Sequence, residues 1–390
     1  MLTLKLAYRN ILGAGLRTWL NVAALSFAYL AIIFVQGIYN GMNDQSERAT
    51  IDALYGGGQY WQNTYDPYDP ITLNDAHIVI PEALRSLVDS QLVAPILIRQ
   101  ATIYPGGRFR SVLLKGIDPY QKVLTIPSAC LTHIDGTIPA LIGNRMAKSA
   151  SLHKGDNLTI EWRDIHGTFD AAEVRIVDIM RTSVQEIDNN QIWIPLDKLQ
   201  SMTALQGQAT IVVIGKNVAP VQLLSGWQFK DLTFLLQDLH ALIKSKTISA
   251  SILYFVLLFL AMIAIFDTQV LSIFRRRKEM GTLMALGMTR GNIIKLFTLE
   301  GAIHGIIAVC TSAIVGIPLL AYITKTGWEM PESVDSIGIA IGEKIFPTYS
   351  ASLVLGTIFL VLIVTTVVSF LPTRRIAKLK PTDALRGKLT

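Results

Sequence analysis

Arg275-Arg276-Arg277-Lys278-Glu279-Met280-Gly281-Thr282-Leu283-Met284-Ala285-Leu286-Gly287-Met288-Thr289-Arg290 is a basic segment set between two long apolar runs. The run before it extends from Ile248 to Phe274 and the run after it from about Ile293 to Ile323. About 20 apolar residues in a helix are enough to cross a bilayer. The segment therefore reads as a short loop that turns one membrane span back into the next. Lys and Arg near span ends collect on the cytoplasmic side, so the loop is assigned there, and the rest of the topology follows from it.

Working outward, two further apolar runs cross the bilayer, Trp19 to Ile38 and Ala351 to Leu371. The first follows Lys5, Arg9 and Arg17, as a signal peptide would. It is longer than the usual apolar core of a signal peptide, and no Ala-x-Ala cleavage site follows it, so it reads as a span. Basic residues recur in the tail at Arg374, Arg375, Lys378, Lys380, Arg386 and Lys388, whereas residues 41–247 hold 18 basic and 21 acidic residues. Both termini are thus expected inside and the large region outside. The expected order is a cytoplasmic amphipathic helix (1–18), span one (19–40), an outer region with helical stalks (41–247), span two (248–274), the cytoplasmic loop (275–292), span three (293–323), a short outer loop (324–350), span four (351–371) and a cytoplasmic tail (372–390). Leu4, Ala7, Tyr8, Ile11 and Leu12 share one helical face of the first segment, as an interfacial helix requires.

Composition agrees. Of 390 residues 51% are hydrophobic and 16% charged, with a mean hydropathy of +0.42. Soluble domains carry about a quarter charged residues, so disorder is excluded and the composition argues against an ordinary cytosolic enzyme. The net charge of +6 is a topology signal and calls for no nucleic-acid partner. Cys130 and Cys310 fall in unlike surroundings and form no disulfide framework.

The outer region is long enough for its own core. Val112–Ile117, Leu158–Trp162, Ala172–Ile179, Ile192–Ile194 and Thr210–Ile214 are strand-like, being rich in β-branched residues. Residues 80–90 and 145–152 read as short helices. Phe229, Leu232, Leu235, Leu236, Leu239, Leu242 and Ile243 recur at helical spacing, and no Pro or Gly intervenes from Gln228 to Arg277. This predicts one continuous stalk helix, with Met42 to Leu54 as its neighbour.

Catalytic patterns are missing. The six histidines form no His-Glu-x-x-His pair or Cys/His cluster, so no metal site is expected. Gly56-Gly57-Gly58 lacks the Lys-Ser/Thr of a phosphate-binding loop, so this chain hydrolyses no nucleotide by that route. His304, inside span three, is expected as a buried, hydrogen-bonded ring. Asp267 and Glu300 are costly at membrane depth unless paired, and both are expected to pair with the basic loop. Gly301-x-x-x-Gly305 allows close helix approach.

The loop resembles the signature between spans two and three of the MacB/FtsX/LolC–LolE (type VII) ABC transporter permeases. That pattern is close to Arg-Arg-Lys-Glu-Ile-Gly-x-Leu-Arg-Ala-Leu-Gly-Ala, and this chain departs from it mildly at Met280 and Met284. Ala7-Tyr8-Arg9-Asn10 with Arg17-Thr18 resembles the family's start. Pro372-Thr373-Arg374-Arg375-Ile376-Ala377 and Pro381-Thr382-Asp383-Ala384-Leu385-Arg386 resemble its tail. Gly116-Ile117-Asp118-Pro119, Gly143 to Ala147 and Lys154-Gly155-Asp156 resemble its periplasmic domain.

The resemblance implies a membrane α-helical fold of four transmembrane helices, with a large mixed α/β, MacB-like periplasmic domain inserted between helices one and two. It implies a multi-pass protein of the bacterial inner membrane, not itself an enzyme. The loop would be a coupling helix that docks a separate ATPase subunit, in two copies, through Glu279, Met280, Gly281, Leu283, Ala285, Leu286 and Gly287. Gly281 and Gly287 would sit at the two ends of that helix, and Pro381, Ala384 and Leu385 would add a tail contact. ATP and Mg would be bound by the ATPase, and this chain would hold no cofactor. Four spans are half of the usual unit, so a second permease, the same or paralogous, is implied. The spans would pass ATP-driven movement to the periplasmic domain. Lipoprotein release from the inner membrane is the first expectation, and the remaining partners are membrane lipids and lipoproteins. Peptide or drug efflux through a periplasmic adaptor and, in another class, a membrane-anchored sensor are the alternatives. Control of a cell-wall hydrolase fits less well, because this outer domain is larger than that role needs.

Overall fold

Among the described residues, four helices are long and apolar enough to cross a membrane. A computed structural model of the chain describes residues 16–132, 136–182, 184–221, 224–275, 277–329 and 344–376. The helices are α1 (Leu16–Thr50), α5 (Gln237–Arg275), α7 (Arg290–Thr326) and α8 (Ala351–Ile376). The chain divides into a helical unit and an α/β unit, the latter built mainly from Asn43–Leu242, between the first and second of these helices in sequence. The segment expected as an amphipathic helix lies outside the described residues up to residue 15, as do most of the short outer loop and the last part of the tail.

The α/β unit contains β1 (Gln59–Gln62), α2 (Glu82–Asp89), β2 (Val93–Ile103), β3 (Arg110–Ile117), β4 (Ile138–Gly143), α3 (Asn144–Ala150), β5 (Asn157–Arg163), β6 (Phe169–Met180), β7 (Gln191–Pro195), α4 (Leu196–Thr203), β8 (Ile211–Ile214) and β9 (Trp227–Lys230). They form one sheet in the order β9-β1-β8-β2-β3-β7-β4-β6-β5, with an added pairing of β2 to β5. That pairing joins Ala101–Ile103 to Ile160–Trp162 and closes six of the strands into a barrel. Pairing is parallel between β3 and β7 and between β4 and β6, and antiparallel elsewhere.

Every barrel strand contributes alternate residues to one core, as the two-residue period of a strand requires. Leu97 and Ala101, Val112 and Leu114, Ile192 and Ile194, Ala140 and Ile142, Val174 and Ile176, and Leu158 and Ile160 all belong to it, joined by Met146 of α3 and Leu199 of α4. Closure leaves no free edge among these strands where they pair. The N-terminal half of β2 leaves the barrel and pairs with β8 instead, Val93–Ile96 against Ile211–Ile214. Pro95 lies where β2 has a strand on one side only, since its pairing to β3 begins at Leu97. A residue with no N–H is accommodated there.

A second core covers the opposite sheet face, with Ile98, Leu141, Trp193 and Val213 packed under Ala53, Leu124 and Leu131. Lys115 lies in this face. Its ammonium sits 5.1 Å from the centre of the Trp193 ring, its partner across the β3–β7 register. Burial drives its pKa down to about 8, against the weaker pull of Glu186 in the other direction.

The five strand stretches and two short helices expected from sequence all appear. The continuous stalk helix does not begin at Gln228. Trp227–Lys230 is β9, paired with β1, and Phe229 packs on Tyr60 with ring centres 5.1 Å apart. Asp231 then accepts a hydrogen bond from the Phe234 N–H, capping a single turn, Leu232–Leu235, ahead of α5. Helical spacing of Phe229 with Leu232 and Leu235 is a coincidence across a capped boundary. The end of α1 does face the start of α5, with Glu47 Oε2 3.5 Å from His240 Nε2.

Within the helical unit, α1, α7 and α8 pack together around Val22, Leu25, Tyr29, Ile32, Ala308 and Val361. At Gly305 an added Cβ would lie 2.9 Å from Leu362 Cδ2 and 3.1 Å from Thr365 Oγ1, so α7 and α8 approach as closely as a small residue permits. The α1 helix of 35 residues spans about 52 Å at 1.5 Å per residue. That exceeds a hydrocarbon core of about 30 Å, so α1 extends beyond it. It ends in a π-helical turn, Ile51–Tyr55, closed by the Gly56 N–H donating to the Ile51 carbonyl at 2.7 Å.

Candidate functional site

The basic loop folds as a helical hairpin. Arg277–Ala285 is a short helix, α6, and four residues forming a tight turn separate it from the start of α7 at Arg290. The chain reverses at Gly287, whose φ of +93° is one that L side chains avoid. Three backbone hydrogen bonds lock the reversal: Leu286 N–H to Thr282 O at 2.9 Å, Gly287 N–H to Met284 O at 3.0 Å and Met288 N–H to Leu283 O at 3.0 Å. They satisfy carbonyls that a helix end leaves orphaned. Thr289 then caps α7, its side chain accepting from the Asn292 N–H.

Packing sorts the predicted residues into two groups. Leu283, with Met284 and Met288, packs against Ile293, Leu296 and Phe297 of α7. Those three residues are almost completely buried, at 0%, 1% and 2% exposure. Leu286 points the other way and is 80% exposed, with Glu279, Ala285 and Gly287 also exposed beside it. Leu283 is therefore support for the hairpin, and Leu286 is a large apolar side chain offered outward. Gly281 does not mark a helix end, as expected, but is buried in the middle of α6. The Met280 side chain and the tail residues Pro381, Ala384 and Leu385 lie outside the described residues.

The supporting set Ile293, Leu296 and Phe297 was not anticipated as part of this site. Their spacing was legible as an apolar helical face, but it was absorbed into the third span.

The polar residues at membrane depth are settled individually. The half-buried His304 ring donates from Nδ1 to the Glu300 carbonyl at 2.7 Å, a hydrogen-bonded ring as expected. The Glu300 side chain is buried, while Asp267 is exposed. Of the basic loop with which both were expected to pair, the side chains of 275–278 lie outside the described residues.

Among the described residues no group of three or more His, Cys, Asp or Glu side chains could hold a metal ion. A cleft of about 500 Å³ opens in the α/β unit between Ala49–Ala53, Thr125–Pro127 and 178–182. Its carboxylates form ordinary ion pairs, Asp52 with Lys216 and Asp178 with Lys154 at 2.9 Å. No nucleophile is paired with a base there. Burial pushes the nearby Cys130 thiol up to about 11, which removes it as a nucleophile at neutral pH.

Comparison with known proteins adds the following. Residues 18–225 match the family model for the MacB-like periplasmic core domain, and residues 251–381 match that for the FtsX-like permease C-terminal region. An uncharacterized ABC transporter permease of Methanocaldococcus jannaschii is 23% identical over 230 residues, covering 55% of this chain and 55% of that protein. The lipoprotein-releasing system transmembrane protein LolC of Neisseria meningitidis serogroup B is 19% identical over 421 aligned positions, covering 95% of this chain and 94% of that protein.

Proposed function

Because the chain belongs to the MacB/FtsX/LolC family of ABC transporter permeases, we propose that it is the permease subunit of a lipoprotein-releasing transporter. The likeness to LolC along nearly the whole of both chains carries this reading. The chain sits in the inner membrane with both termini and α6 in the cytoplasm and the α/β unit in the periplasm. The side holding α6 is the side rich in Lys and Arg, as the distribution of charge across a membrane requires.

A separate ATPase, in two copies, docks on α6. Leu286 enters an apolar groove of that subunit, with Ala285 beside it, and the helix is held at a fixed angle by the turn at Gly287. Met280 adds to the contact, and so do Pro381, Ala384 and Leu385 of the tail. ATP and Mg bind to the ATPase, and this chain hydrolyses nothing. A second permease completes the membrane assembly. Closure of the ATPases moves α6, and the spans pass that movement to the periplasmic domain, which releases the lipoprotein from the outer leaflet.

Purification of the tagged full chain in mild detergent, with mass spectrometry of what accompanies it, tests this. The expected result is a stoichiometric ATPase, a second permease and bound lipoproteins. A periplasmic adaptor in place of lipoproteins would move the assignment to efflux. No ATPase, even after crosslinking from 275–291, would end the transporter reading and leave a membrane-anchored sensor.

A further inference from the structure

A buried charge is normally paired, and a buried N–H normally has an acceptor. The second core of the α/β unit departs from both rules at one place. Lys115 is 8% exposed and Trp193 1%. Among the described residues the Trp193 indole N–H has no hydrogen-bond partner. No carboxylate among them pairs with the Lys115 ammonium and no carbonyl accepts from it, and it lies over the Trp193 ring instead. We propose that these two donors form a binding site for a monocarboxylate with a compact apolar body, one carboxylate oxygen taking the ammonium and the other the indole N–H. The site is independent of any docking on α6.

The sheet register brings the donors together. Lys115 of β3 lies between Ile98 of β2 and Trp193 of β7. Leu113 and Ile117, two residues to either side of Lys115, belong to the second core with Ile98 and Trp193, which puts the lysine on that face, as the strand period requires. The indole N–H lies in the ring plane. The ammonium lies off it, on a flexible four-carbon stem. An acceptor with two oxygens suits two donors set apart in this way, and an acceptor of one atom serves only one of them.

Charge narrows the ligand further. One ammonium calls for one negative charge, and a doubly charged phosphate would leave a net charge among Ile98, Ile117 and Leu141, which is costly. Burial depresses the pKa of Lys115 to about 8, and an opposite charge beside it would favour the ammonium again. Room for an apolar body adjoins the donors. The cleft of about 500 Å³ shares Ala53, Ile126, Met180 and Ile187 with the buried cluster that contains Trp193. Glu186 is exposed, and its charge is felt at Lys115, second to burial, and at Tyr65, behind burial and Asp66. It repels a carboxylate seated on the ammonium.

The full chain in detergent, isotope-labelled at the tryptophan nitrogens, is titrated separately with phenylpropionate, with its neutral amide and with chloride. The indole resonance of Trp193, identified by its loss in Trp193→Phe, is followed. Phenylpropionate is expected to displace it saturably, and the amide and chloride to leave it in place. Lys115→Met is expected to weaken phenylpropionate at least about tenfold, because a charge-assisted hydrogen bond is lost. Glu186→Gln is expected to tighten it about twofold or more, because a repulsive charge is removed, a change that a purely structural Glu186 would not produce. Phenylpropionate is also expected to raise the melting temperature of the wild type and not that of Lys115→Met, and circular dichroism checks that each variant is folded. The site is overturned if phenylpropionate leaves the resonance in place, or if the amide or chloride moves it equally. It is likewise overturned if Lys115→Met binds as tightly as the wild type, or if Glu186→Gln binds more weakly.

Discussion

At Lys115 an ammonium is held in a hydrophobic sheet face, against Trp193, with its pKa down at about 8 from an ordinary 10.5. Burial is the cause, because taking the charged form out of water is costly. Between those two values the unfolded chain binds more protons than the folded one, so this residue's contribution to stability rises with pH across that window. Replacing it with Met removes the cost at neutral pH. Lys115→Met is expected to be more stable than the wild type at pH 7.5 by about 3 kcal/mol, on the order of the product of the shift and roughly 1.4 kcal/mol per pKa unit. The gap should close towards pH 10.5. Tyr55, Tyr65 and Cys130 are shifted upward by burial and act in the opposite sense at high pH. They are present in both proteins, so the difference between the two isolates Lys115. Chemical unfolding of both proteins at pH 7.5, 9 and 10.5 measures it, and a gap that stays constant with pH would refute the account. The Lys was visible in the sequence, inside a stretch correctly read as a strand. Its burial was not, because the strand alternation does not say which face carries a second core.

Among the elements, α6 offers the sharpest contrast. Leu283 and Leu286 are three residues apart and alike in chemistry, yet one supports the hairpin and the other faces outward. Leu286→Asp should leave stability within about 0.5 kcal/mol, as exposed substitutions usually do, and should reduce ATPase association at least about tenfold. Leu283→Asp places a carboxylate against a buried apolar cluster and should destabilise the hairpin by about 2 kcal/mol or more. Thermal unfolding in detergent, beside quantitative pull-down of the ATPase, separates the two effects. Equal behaviour of the two variants would contradict the assigned orientations. The basic segment was legible as a short turn between two spans, but the orientation of α6 depends on partners in α7 that share no local pattern with it. Other elements failed for local reasons. Strand β2 escaped detection because Pro95 and the polar pair Arg99 and Gln100 interrupt its apolar run, and Pro95 is accommodated only because the pairing on one side starts after it. Strand β9 was absorbed into a helix because no Gly or Pro marks its end, and the mark that does exist, Asp231 as a cap, is a weak signal in sequence.

For the molecule as a whole, the division into a helical and an α/β unit was readable from the distribution of apolar runs, and four spans were counted from length alone. Barrel closure was not, since it depends on strands 60 residues apart meeting, Ala101 with Trp162. The three buried clusters of the α/β unit are built from residues 49–229. Residues 43–242 expressed alone are therefore expected to fold cooperatively, with a single thermal transition and native-like strand content by circular dichroism. A gradual transition with exposed apolar surface would show that the spans are needed for its integrity.

The place of β1 in the sheet has a consequence for the order of events during synthesis. This strand, the first to be made, is held between β8 and β9, which are the last two. Gln59 waits for Val213 on one side and Lys230 on the other, a separation of some 150 residues along the chain. At about 5–20 residues per second, the ribosome takes roughly ten seconds or more to supply both neighbours. Throughout that interval the emerging segment displays unsatisfied backbone and apolar side chains. Such a segment is open to mispairing until its final strand arrives, and truncation just before Trp227 is expected to make that transient hazard permanent.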